Sequence, residues 1–532
     1  MQSKKMKFKL TLTLLLLVNF TSFAGTYYVN INATGTNNGS TWANAFNNLQ
    51  SALSNAFFGD EIWVATGSYK ASDVNDRSIS FVMKNGVHVY GGFAGTEAYI
   101  NQRNIPANPT TLSGDIGAPG DNSDNSKNII KIENINSPLI IDGFRIFSGY
   151  DETSSGEGSG AYINNNTGSI NFMNCIFYNN YTYYKGGAVF IRYSNVLFDN
   201  CKFVYNSNYN YGGGAIYSAN VSNSSIQITG SVFSGNNSRS GGAIIFDGDL
   251  LRIDRTLITN NTATSGSIIQ VSDADVFTIS NSIIAGNLIE SNYSASVISS
   301  YSIAQNSSNL INVTLCHNRN NSSTTPSDEA IHKSNSPYNI YNCIIYGNTK
   351  SDVNAQINSG NNVVNSIVED GYSAGVNILN TDPIFINPAL LSSAPIDVSS
   401  FDYSLQFSSP GINAGDNSLV SAFGFDYLNN TRIQQGTVDL GAIESPFAVS
   451  TNDINLNKNS VFIFDNNSNK IRFKNYEKLN AANIKIYNIN GEVVLNRKIT
   501  GNEILLDYSR GIYIIEIENQ KPEKIVLINN HY

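Results

Sequence analysis

The chain has 532 residues, of which only 14% are charged and 11% are aromatic, with 29 Tyr and 27 Phe against 2 Trp. This composition is typical of a β-rich exported protein rather than of a helical cytosolic enzyme. The formal net charge of -9 is unevenly distributed, because residues 25–445 hold 17 Lys and Arg against 32 Asp and Glu. Such an acidic body should repel nucleic acid and anionic lipid. Four cysteines without zinc-site spacing are too few for a disulfide scaffold.

The N-terminus has the pattern of a signal peptide. Four lysines (Lys4, Lys5, Lys7 and Lys9) precede an apolar run from Leu10 to Val18, and small residues follow up to Ala24. We predict cleavage after Ala24. No later stretch is apolar over the roughly 18 residues that a membrane-spanning helix needs, so we expect a mature chain without a transmembrane segment.

One motif recurs along the middle of the chain, first as MNCIFYNN at residues 173–180 and last as YNCIIYGN at residues 341–348. Counting the place of Cys175 as zero, the equivalent positions are Cys175, Cys201, Ser231, Thr256, Ser282, Thr314, Cys343 and Ser366. Positions -3 and +2 are apolar in every copy, as at Phe172 and Phe177. A straight strand would point these two positions to opposite faces, so the chain must turn between them.

Position -1 indicates how the chain turns. Six of the eight residues there are Asn or Gly, which accept a left-handed backbone at low cost: Asn174, Asn200, Gly230, Asn281, Asn342 and Asn365. The other two, Arg255 and Val313, predict locally altered bends. A Gly-Ala or Gly-Ser pair before each copy marks a further corner, with the small residue at positions 161, 188, 215, 243 and 267.

These signals predict three short strands and three turns per repeat. Strands stacked at ~4.8 Å per repeat form a parallel β-helix with inward side chains in ladders. Asn180 is expected to cap a turn. Cys175 and Cys201 occupy the same place on successive coils, within the ~4.4 to 6.8 Å Cα separation of a disulfide, so either a bridge or two stacked free thiols fits.

The paired GGAI-like and FxxN-like signals (residues 177–180, 203–206 and 233–236) resemble the repeats of chlamydial polymorphic outer-membrane proteins. More broadly, they resemble pectate-lyase-like right-handed β-helix proteins. The resemblance covers about half of the chain, and it implies an all-β fold with a right-handed parallel β-helix.

Both flanks also carry signals. Trp42, Phe46, Leu49 and Leu53 have helical spacing before a strand-like stretch at residues 59–69, which is similar to the helical cap of such solenoids. Residues 408–416, Arg432 and residues 436–444 resemble a choice-of-anchor Q domain.

Alternating residues 483–499 with Asn490-Gly491 predict a hairpin. Together with residues 510–527, they resemble a type A sorting domain of the type IX secretion system, which implies a C-terminal β-sandwich read by the outer-membrane machinery.

We therefore expect five segments. They are a signal peptide (1–24), a cap with the first coils (25–138), the β-helix repeats (139–400), a choice-of-anchor Q-like end (401–445) and a sorting domain (446–532).

Candidate sites for chemistry are few. The four histidines, His88, His317, His332 and His531, lie in unrelated contexts and are expected at surface or turn positions. A polysaccharide lyase would need carboxylates for Ca²⁺ and a basic residue; residues 246–255 offer Asp247, Asp249, Asp254, Arg252 and Arg255, which solvated turns explain equally well. No catalytic residue, metal site or cofactor is predicted, and no specific motif supports Ca²⁺.

Tyrosines cluster on two equivalent turns. We expect Tyr181, Tyr183 and Tyr184 to lie beside Tyr209 and Tyr211 on the next coil. Exposed rings stack on sugars and on partner proteins, although these rings could also simply cover a coil edge.

The prediction is thus a non-enzymatic secreted or outer-membrane surface protein for adhesion or glycan binding. Its expected partners are the type IX machinery and extracellular glycans or surface proteins. The alternative is a polysaccharide lyase or glycoside hydrolase on the same scaffold.

Overall fold

The computed structural model describes residues 24–446 and 461–527. Within the first range it omits 220–223, 292–294, 302, 305–306, 322–329, 334–335, 352, 391–393, 421 and 435, and within the second 466–469, 475, 488–491, 507–510 and 519–522. The predicted signal peptide up to residue 23 and His531 lie outside the described residues. Contacts divide the chain into two compact units, Met1–Ala448 and Val449–Tyr532.

The first unit is a parallel β-helix, as the repeat predicts. Each central coil passes through four strands in chain order, which we call faces 1 to 4. Faces 1 and 2 belong to one 23-stranded sheet that bends between them, while faces 3 and 4 are nine-stranded sheets. The prediction of three strands per repeat is therefore wrong, because each central coil has four. The two-residue strands of face 3 are too short to show an apolar pattern in the sequence.

Face 1 consists of Thr26–Val29, Glu61–Ala65, His88–Phe93, Leu139–Asp142, Ile170–Met173, Asn195–Asp199, Ser225–Thr229, Leu250–Asp254, Val276–Ser280, Ser308–Ile311, Tyr338–Tyr341, Asn362–Val368 and Val376–Leu379. Face 2 consists of Gly67–Lys70, Thr110–Ser113, Phe144–Phe147, Ile176–Tyr178, Lys202–Val204, Val232–Ser234, Leu257–Thr259, Ile283–Ala285, Thr314–Cys316 and Ile344–Tyr346, and the last of these also pairs with the end of Asn362–Val368.

Face 3 consists of Tyr150–Asp151, Tyr181–Thr182, Ser207–Asn208, Asn237–Ser238, Thr262–Ala263, Leu288–Ile289, Arg319–Asn320, Thr349–Lys350 and Val353–Asn354. Face 4 consists of Phe81–Val82, Ile130–Glu133, Ala161–Asn164, Val189–Arg192, Ile216–Ser218, Ile244–Asp247, Ile269–Asp273, Ile298–Ser300 and Ile331–Lys333.

A left-handed residue joins face 1 to face 2 in every coil of the repeat. The residues with positive φ at this place are Asn174, Asn200, Gly230, Arg255, Asn281, Asn312, Asn342 and Asn365. The altered bend expected at Arg255 is wrong, since its φ of 48° matches that of its neighbours. The expectation for Val313 is also wrong: Ile283 pairs with Thr314, so Val313 takes position zero and Asn312 makes the bend.

The Gly-Ala corners precede face 4. Ala188, Ala215 and Ala243 are fully buried and follow one another from coil to coil, whereas Ala161 lies one place later because it pairs with Val189. The next place belongs to Ile268 and not to Ser267, because Ala243 N–H donates to the Ile268 carbonyl. The motif spacing missed this one-residue shift because Ser267 has the small side chain expected of a corner.

The core is built from columns of identical side chains. Phe177, Phe203 and Phe233 are fully buried and stacked, with ring centroids 4.9 and 4.5 Å apart. Cys175 and Cys201 are also fully buried, and both are free thiols. Burial raises the pKa of Cys201 well above its ordinary value, so this thiol behaves as a small apolar residue.

A second column consists of buried asparagines at the start of face 3. Its members are Asn180, Asn206, Asn236, Asn261, Asn287, Asn318 and Asn348, and none is more than 1% exposed. In a representative coil, Asn236 Nδ2 donates to Asn261 Oδ1 at 2.9 Å and to the Phe203 carbonyl at 2.9 Å. Asn236 Oδ1 accepts from the backbone N–H and the Nδ2 of Asn206. Asn180 therefore does more than cap a turn, because it belongs to a continuous amide ladder.

The N-terminal end is closed by a short helix, Leu49–Asn55. Asn48 caps it by accepting from Gln50 N–H, and Leu49 and Leu53 are buried against the first coils. The predicted helical placement of Trp42 and Phe46 is wrong. Trp42 packs on other aromatic rings before the helix, and Phe46 pairs with Val29.

After the last coil, residues 383–445 run back along the β-helix; we call them the return segment. Its strands Phe385–Asn387 and Asp402–Leu405 pair antiparallel. The Ile396 carbonyl accepts from Thr259 Oγ1 at 2.9 Å. Asn312 Nδ2 donates to the Asp439 carbonyl at 2.9 Å. The return segment thus covers the bends and part of face 2 in the later coils.

Arg432 holds the end of the return segment together. It is 1% exposed, forms an ion pair with Glu444, and donates to the Ala442 carbonyl at 3.1 Å. Burial raises the pKa of Asp439 to about 6 and that of Glu444 to about 7. Arg432 and residues 436–444 therefore meet in space, while their resemblance to a choice-of-anchor Q domain stays a prediction.

Short helical turns complete the first unit at Ile100–Gln102, Asn122–Asp124, Val398–Ser400 and Asn417–Leu419. The second unit has an antiparallel sheet of Phe462–Asp465, Lys470–Phe473 and Glu503–Leu505, a second of Asn483–Tyr487, Val493–Lys498, Gly511–Ile517 and Glu523–Leu527, and a short helix, Tyr476–Leu479. One apolar core lies between side chains of both sheets. The predicted turn at Asn490-Gly491 lies outside the described residues, although the strands on either side of it pair antiparallel.

We predict that Asn236→Ala lowers the free energy of unfolding by about 3 kcal/mol, because it leaves buried polar groups of two neighbouring coils without partners. Urea denaturation followed by circular dichroism measures the loss. The matched control is Asn195→Ala, since Asn195 is exposed; its expected effect is about 0.5 kcal/mol or less. Equal effects of the two substitutions would contradict a stabilising ladder.

His317 gives a pH-dependent prediction. Its imidazole lies against Tyr403 with Nδ1 3.2 Å from the hydroxyl, and burial lowers its pKa from 6.5 to about 4. The unfolded chain binds this proton below pH 6.5 while the folded chain does not, so acidification to pH 4 destabilises the fold. His317→Asn keeps a residue that accepts the observed φ of 54°.

Wild type should lose stability relative to this variant between pH 7 and pH 4 in denaturation curves. A difference that does not change with pH would show that the pKa of the imidazole is not lowered in the folded chain.

Candidate functional site

The described surface has a cleft on the outer side of face 2 in the early coils. Its volume is about 660 Å³. The lining residues are Ser68, Lys70, Thr111, Ser113, Asp115, Pro119, Arg145, Phe147, Ile176 and Tyr178. Apolar and aromatic walls with a few polar groups are typical of a small-molecule or oligosaccharide site.

The strand register places these residues in two parallel rows. The first row is Ser68, Thr111, Arg145, Ile176, Lys202 and Val232. The second row is Lys70, Ser113, Phe147, Tyr178, Val204 and Ser234. Because alternate residues of each strand face the core, both rows point outward and run along the helix axis.

Aromatic rings form one wall of the cleft. Phe147 and Tyr178 are stacked, with centroids 5.6 Å apart and planes 21° from parallel. Tyr205 meets Tyr178 edge-on at 5.9 Å. Tyr178 is 39% and Tyr205 is 53% exposed. Half-exposed rings that are held by ring contacts offer a preformed stacking surface.

Cations lie on the two outward rows: Lys70 and Arg145 line the cleft, and Lys202 follows Ile176 on the first row. Lys70 Nζ donates to the Ile116 carbonyl at 3.4 Å. Arg145 and Lys202 are exposed, and within the described part of the chain neither side chain has an ion pair or hydrogen bond. Asp115 adds one carboxylate at the rim; its Oδ2 accepts from Gly120 N–H at 3.0 Å, and its Oδ1 has no protein partner among the described residues.

The return segment ends the cleft on the side of the later coils. Ser234 Oγ donates to Asp397 Oδ2 at 3.1 Å, and Val398 N–H donates to Thr259 Oγ1 at 3.0 Å. Face 2 is therefore open from Lys70 to Lys202 and covered beyond Val232. The open strip spans five strands, about 19 Å between the first and the last at the usual strand spacing.

The predicted tyrosine cluster lies on a different side of the coil, around face 3. Tyr183 stacks on Tyr209 at 5.3 Å and Tyr184 meets Tyr211 at 4.6 Å, so the expected neighbours are brought together. Tyr181 instead stacks on Tyr150 of the preceding coil at 4.7 Å. Tyr209 is 66% and Tyr211 is 53% exposed.

A lysine belongs to the same cluster. Lys185 Nζ lies 4.9 Å from the ring centroid of Tyr184, 5.5 Å from that of Tyr211 and 5.0 Å from that of Tyr217. Cation–π contact with three rings holds the lysine in place. Burial raises the pKa of Tyr217 to about 12, so this ring is neutral at physiological pH.

The other sequence candidates do not form a site. Asp254 accepts from Arg255 Nε at 3.0 Å and from Asn281 Nδ2 at 2.8 Å, which gives it a structural role at the bend. Arg252 is exposed on face 1. His88 Nδ1 accepts from Ile140 N–H at 3.2 Å, and His317 packs on Tyr403. No group of three or more His, Cys, Asp or Glu side chains suited to a metal ion occurs in the part of the chain that is described.

Sequence reasoning missed the cleft. Eight of its ten lining residues precede Cys175, in a part of the chain where long insertions at residues 94–109 and 114–126 interrupt the repeat spacing. The available signal is the buried column on face 2, which continues upstream through Ile146, Leu112 and Tyr69. Extending the repeat alignment along this column would have placed Arg145 and Lys70 on the outer surface.

Comparison with known proteins matches the C-terminal segment to a protein family. A family described as a secretion system C-terminal sorting domain matches residues 454–528. The search of curated proteins finds no match. Among solved structures, the A-module of the mannuronan C-5 epimerase AlgE4 from Azotobacter vinelandii is similar over 64% of this chain and 100% of its own, with 12% identity and a TM-score of 0.18.

None of the described helices is long and apolar enough to cross a membrane. The family match shows that the C-terminal segment is a sorting domain of the type IX secretion system, so the chain is an exported protein handled by that machinery.

Proposed function

We propose that this protein is a non-enzymatic secreted or cell-surface β-helix that binds an extracellular glycan in the cleft on face 2. The observation that carries the proposal is the stacked pair Phe147 and Tyr178, which lies in an open cleft beside Arg145, a cation without a side-chain partner among the described residues. Aromatic faces bind the C–H faces of sugar rings, and charged groups at the edge orient the polar substituents.

The shape of the cleft favours a chain-like ligand. Its two outward rows are straight because every strand of face 2 pairs in register with the next. A polymer lying along the axis contacts every strand of the strip, whereas a compact ligand would use only part of it. Export through the type IX route is consistent with a ligand outside the cell.

The tyrosine cluster of Tyr181, Tyr183, Tyr184, Tyr209 and Tyr211 is a second proposed contact surface. It faces a different direction, and Lys185 fills the space between three of its rings. We assign it a secondary role in adhesion, because none of its five tyrosines lines the cleft on face 2.

Tyr178→Ala should weaken glycan binding threefold to tenfold, because one stacked ring contributes about 0.5–1.5 kcal/mol. Retention of the mature protein on immobilised hyaluronan, polygalacturonate, alginate, xylan and cellulose identifies the bound polysaccharide, and calorimetry gives the affinity. Phe57→Ala is the control, since Phe57 is a still more exposed ring, at 69% against 39% for Tyr178, and lies at the N-terminal end away from the cleft.

The Tyr183→Ala/Tyr209→Ala double variant measures the tyrosine cluster in the same assay. Unchanged binding by Tyr178→Ala would overturn the assignment to the cleft. The lyase and hydrolase alternative is tested on the same mixtures: ultraviolet absorbance of an unsaturated product, or new reducing ends, would contradict a non-enzymatic role.

A further inference from the structure

Cations occur on every second strand of the open strip. Lys70 lies on the first strand of face 2, Arg145 on the third and Lys202 on the fifth. The second and fourth strands present only uncharged residues outward, namely Thr111, Ser113, Ile176 and Tyr178. At the usual spacing between strands, successive cations are about 10 Å apart along the axis.

From this pattern we propose that the ligand is an acidic glycan with an anionic group on alternate sugars, lying parallel to the helix axis. The inference rests on the proposed function and names the chemical class of its ligand. A pyranose ring in an extended chain advances the polymer by about one strand spacing. A disaccharide repeat with one carboxylate or sulfate therefore matches the two-strand period of the cations.

The uncharged strands select against a glycan with a charge on every sugar. An anion opposite Ile176 or Tyr178 would lose part of its hydration against an apolar wall without gaining a cation. On the fourth strand the ring of Tyr178, which stacks on Phe147 of the third strand, instead suits the uncharged sugar of each repeat.

The charge of the whole chain does not oppose this assignment. Residues 25–445 are acidic overall, but charges beyond about 10 Å are largely screened at physiological ionic strength. The one carboxylate lining the cleft is Asp115, at the rim beside Pro119. Arg145 and Lys202 have no side-chain partner among the described residues, so a ligand anion need not displace one.

Calorimetry with the mature full chain tests the class directly. The probes are a hyaluronan octasaccharide, with a carboxylate on alternate sugars, its carboxyl-reduced neutral form, and an octagalacturonate, with a carboxylate on each sugar. We expect the hyaluronan fragment to bind more tightly than either of the other two. Its affinity should fall as salt is raised, since the contacts are exposed ion pairs.

Arg145→Gln and Lys202→Gln should each weaken hyaluronan binding about threefold to tenfold and reduce its salt dependence. Neither change should affect the neutral form. Arg252→Gln is the matched control, because Arg252 is also exposed but lies on face 1 of the same solenoid. Circular dichroism of each variant establishes that the fold is intact.

Two results would overturn the inference while leaving the proposed function in place. One is equal binding of the hyaluronan fragment and its neutral form, and the other is tighter binding of octagalacturonate that Arg145→Gln does not weaken. If none of the three probes and none of the immobilised polysaccharides binds, the proposed function itself fails.

Discussion

The left-handed residue between faces 1 and 2 is the constraint on which the rest of the structure depends. It turns the chain within a single residue, so that the apolar positions on both sides of it face one core. Seven of the eight bends in the repeat are Asn or Gly, which take positive φ with the least strain. Since every bend has the same geometry, each coil lies in register on the one before, and the phenylalanine and asparagine columns can form.

The register of the core strands also determines which side chains lie next to one another on the outer surface. Side chains that alternate with the buried column on face 2 become straight rows along the axis, and their chemistry repeats at the strand spacing. Residues as distant in sequence as Lys70 and Lys202 thereby come to line one strip. The return segment then covers the same face in the later coils, where Ser234 and Thr259 bond to it. The proposed binding surface is thus confined to the early coils by the chain itself.

The fold could be predicted from the sequence because the bend residues and the apolar positions beside them recur in every repeat. Asn174, Asn200 and Gly230 each carry little information alone, but in one column they predict the bend, and the apolar partners at Phe172 and Phe177 predict the core. One error occurred where two neighbouring residues fit the same position of the repeat. Val313 and Thr314 both fit the zero position, and only the pairing of Ile283 with Thr314 decides between them.

Arg255 was misjudged for another reason. Its ion pair with Asp254 and its bond to Asn429 accompany a backbone conformation that propensity alone disfavours.

The site was much less predictable. The tyrosine pairs followed from repeat spacing, and Tyr183 does stack on Tyr209. The cleft did not, because insertions between early strands hide the register of Lys70 and Arg145. Its closure depends on contacts between Asp397 and Ser234, which are 163 residues apart, and no local pattern records them.

The bend at Asn200 offers the most direct test of the central claim. Asn200 is exposed and has a φ of 52°, so its substitution changes the backbone preference with little effect on packing. Asn200→Gly accepts this conformation, whereas the β-branched side chain of Asn200→Val opposes it. The account predicts that Asn200→Val is about 1–2 kcal/mol less stable than Asn200→Gly in urea denaturation. Equal stability of the two variants would contradict a β-helix wound by left-handed bends.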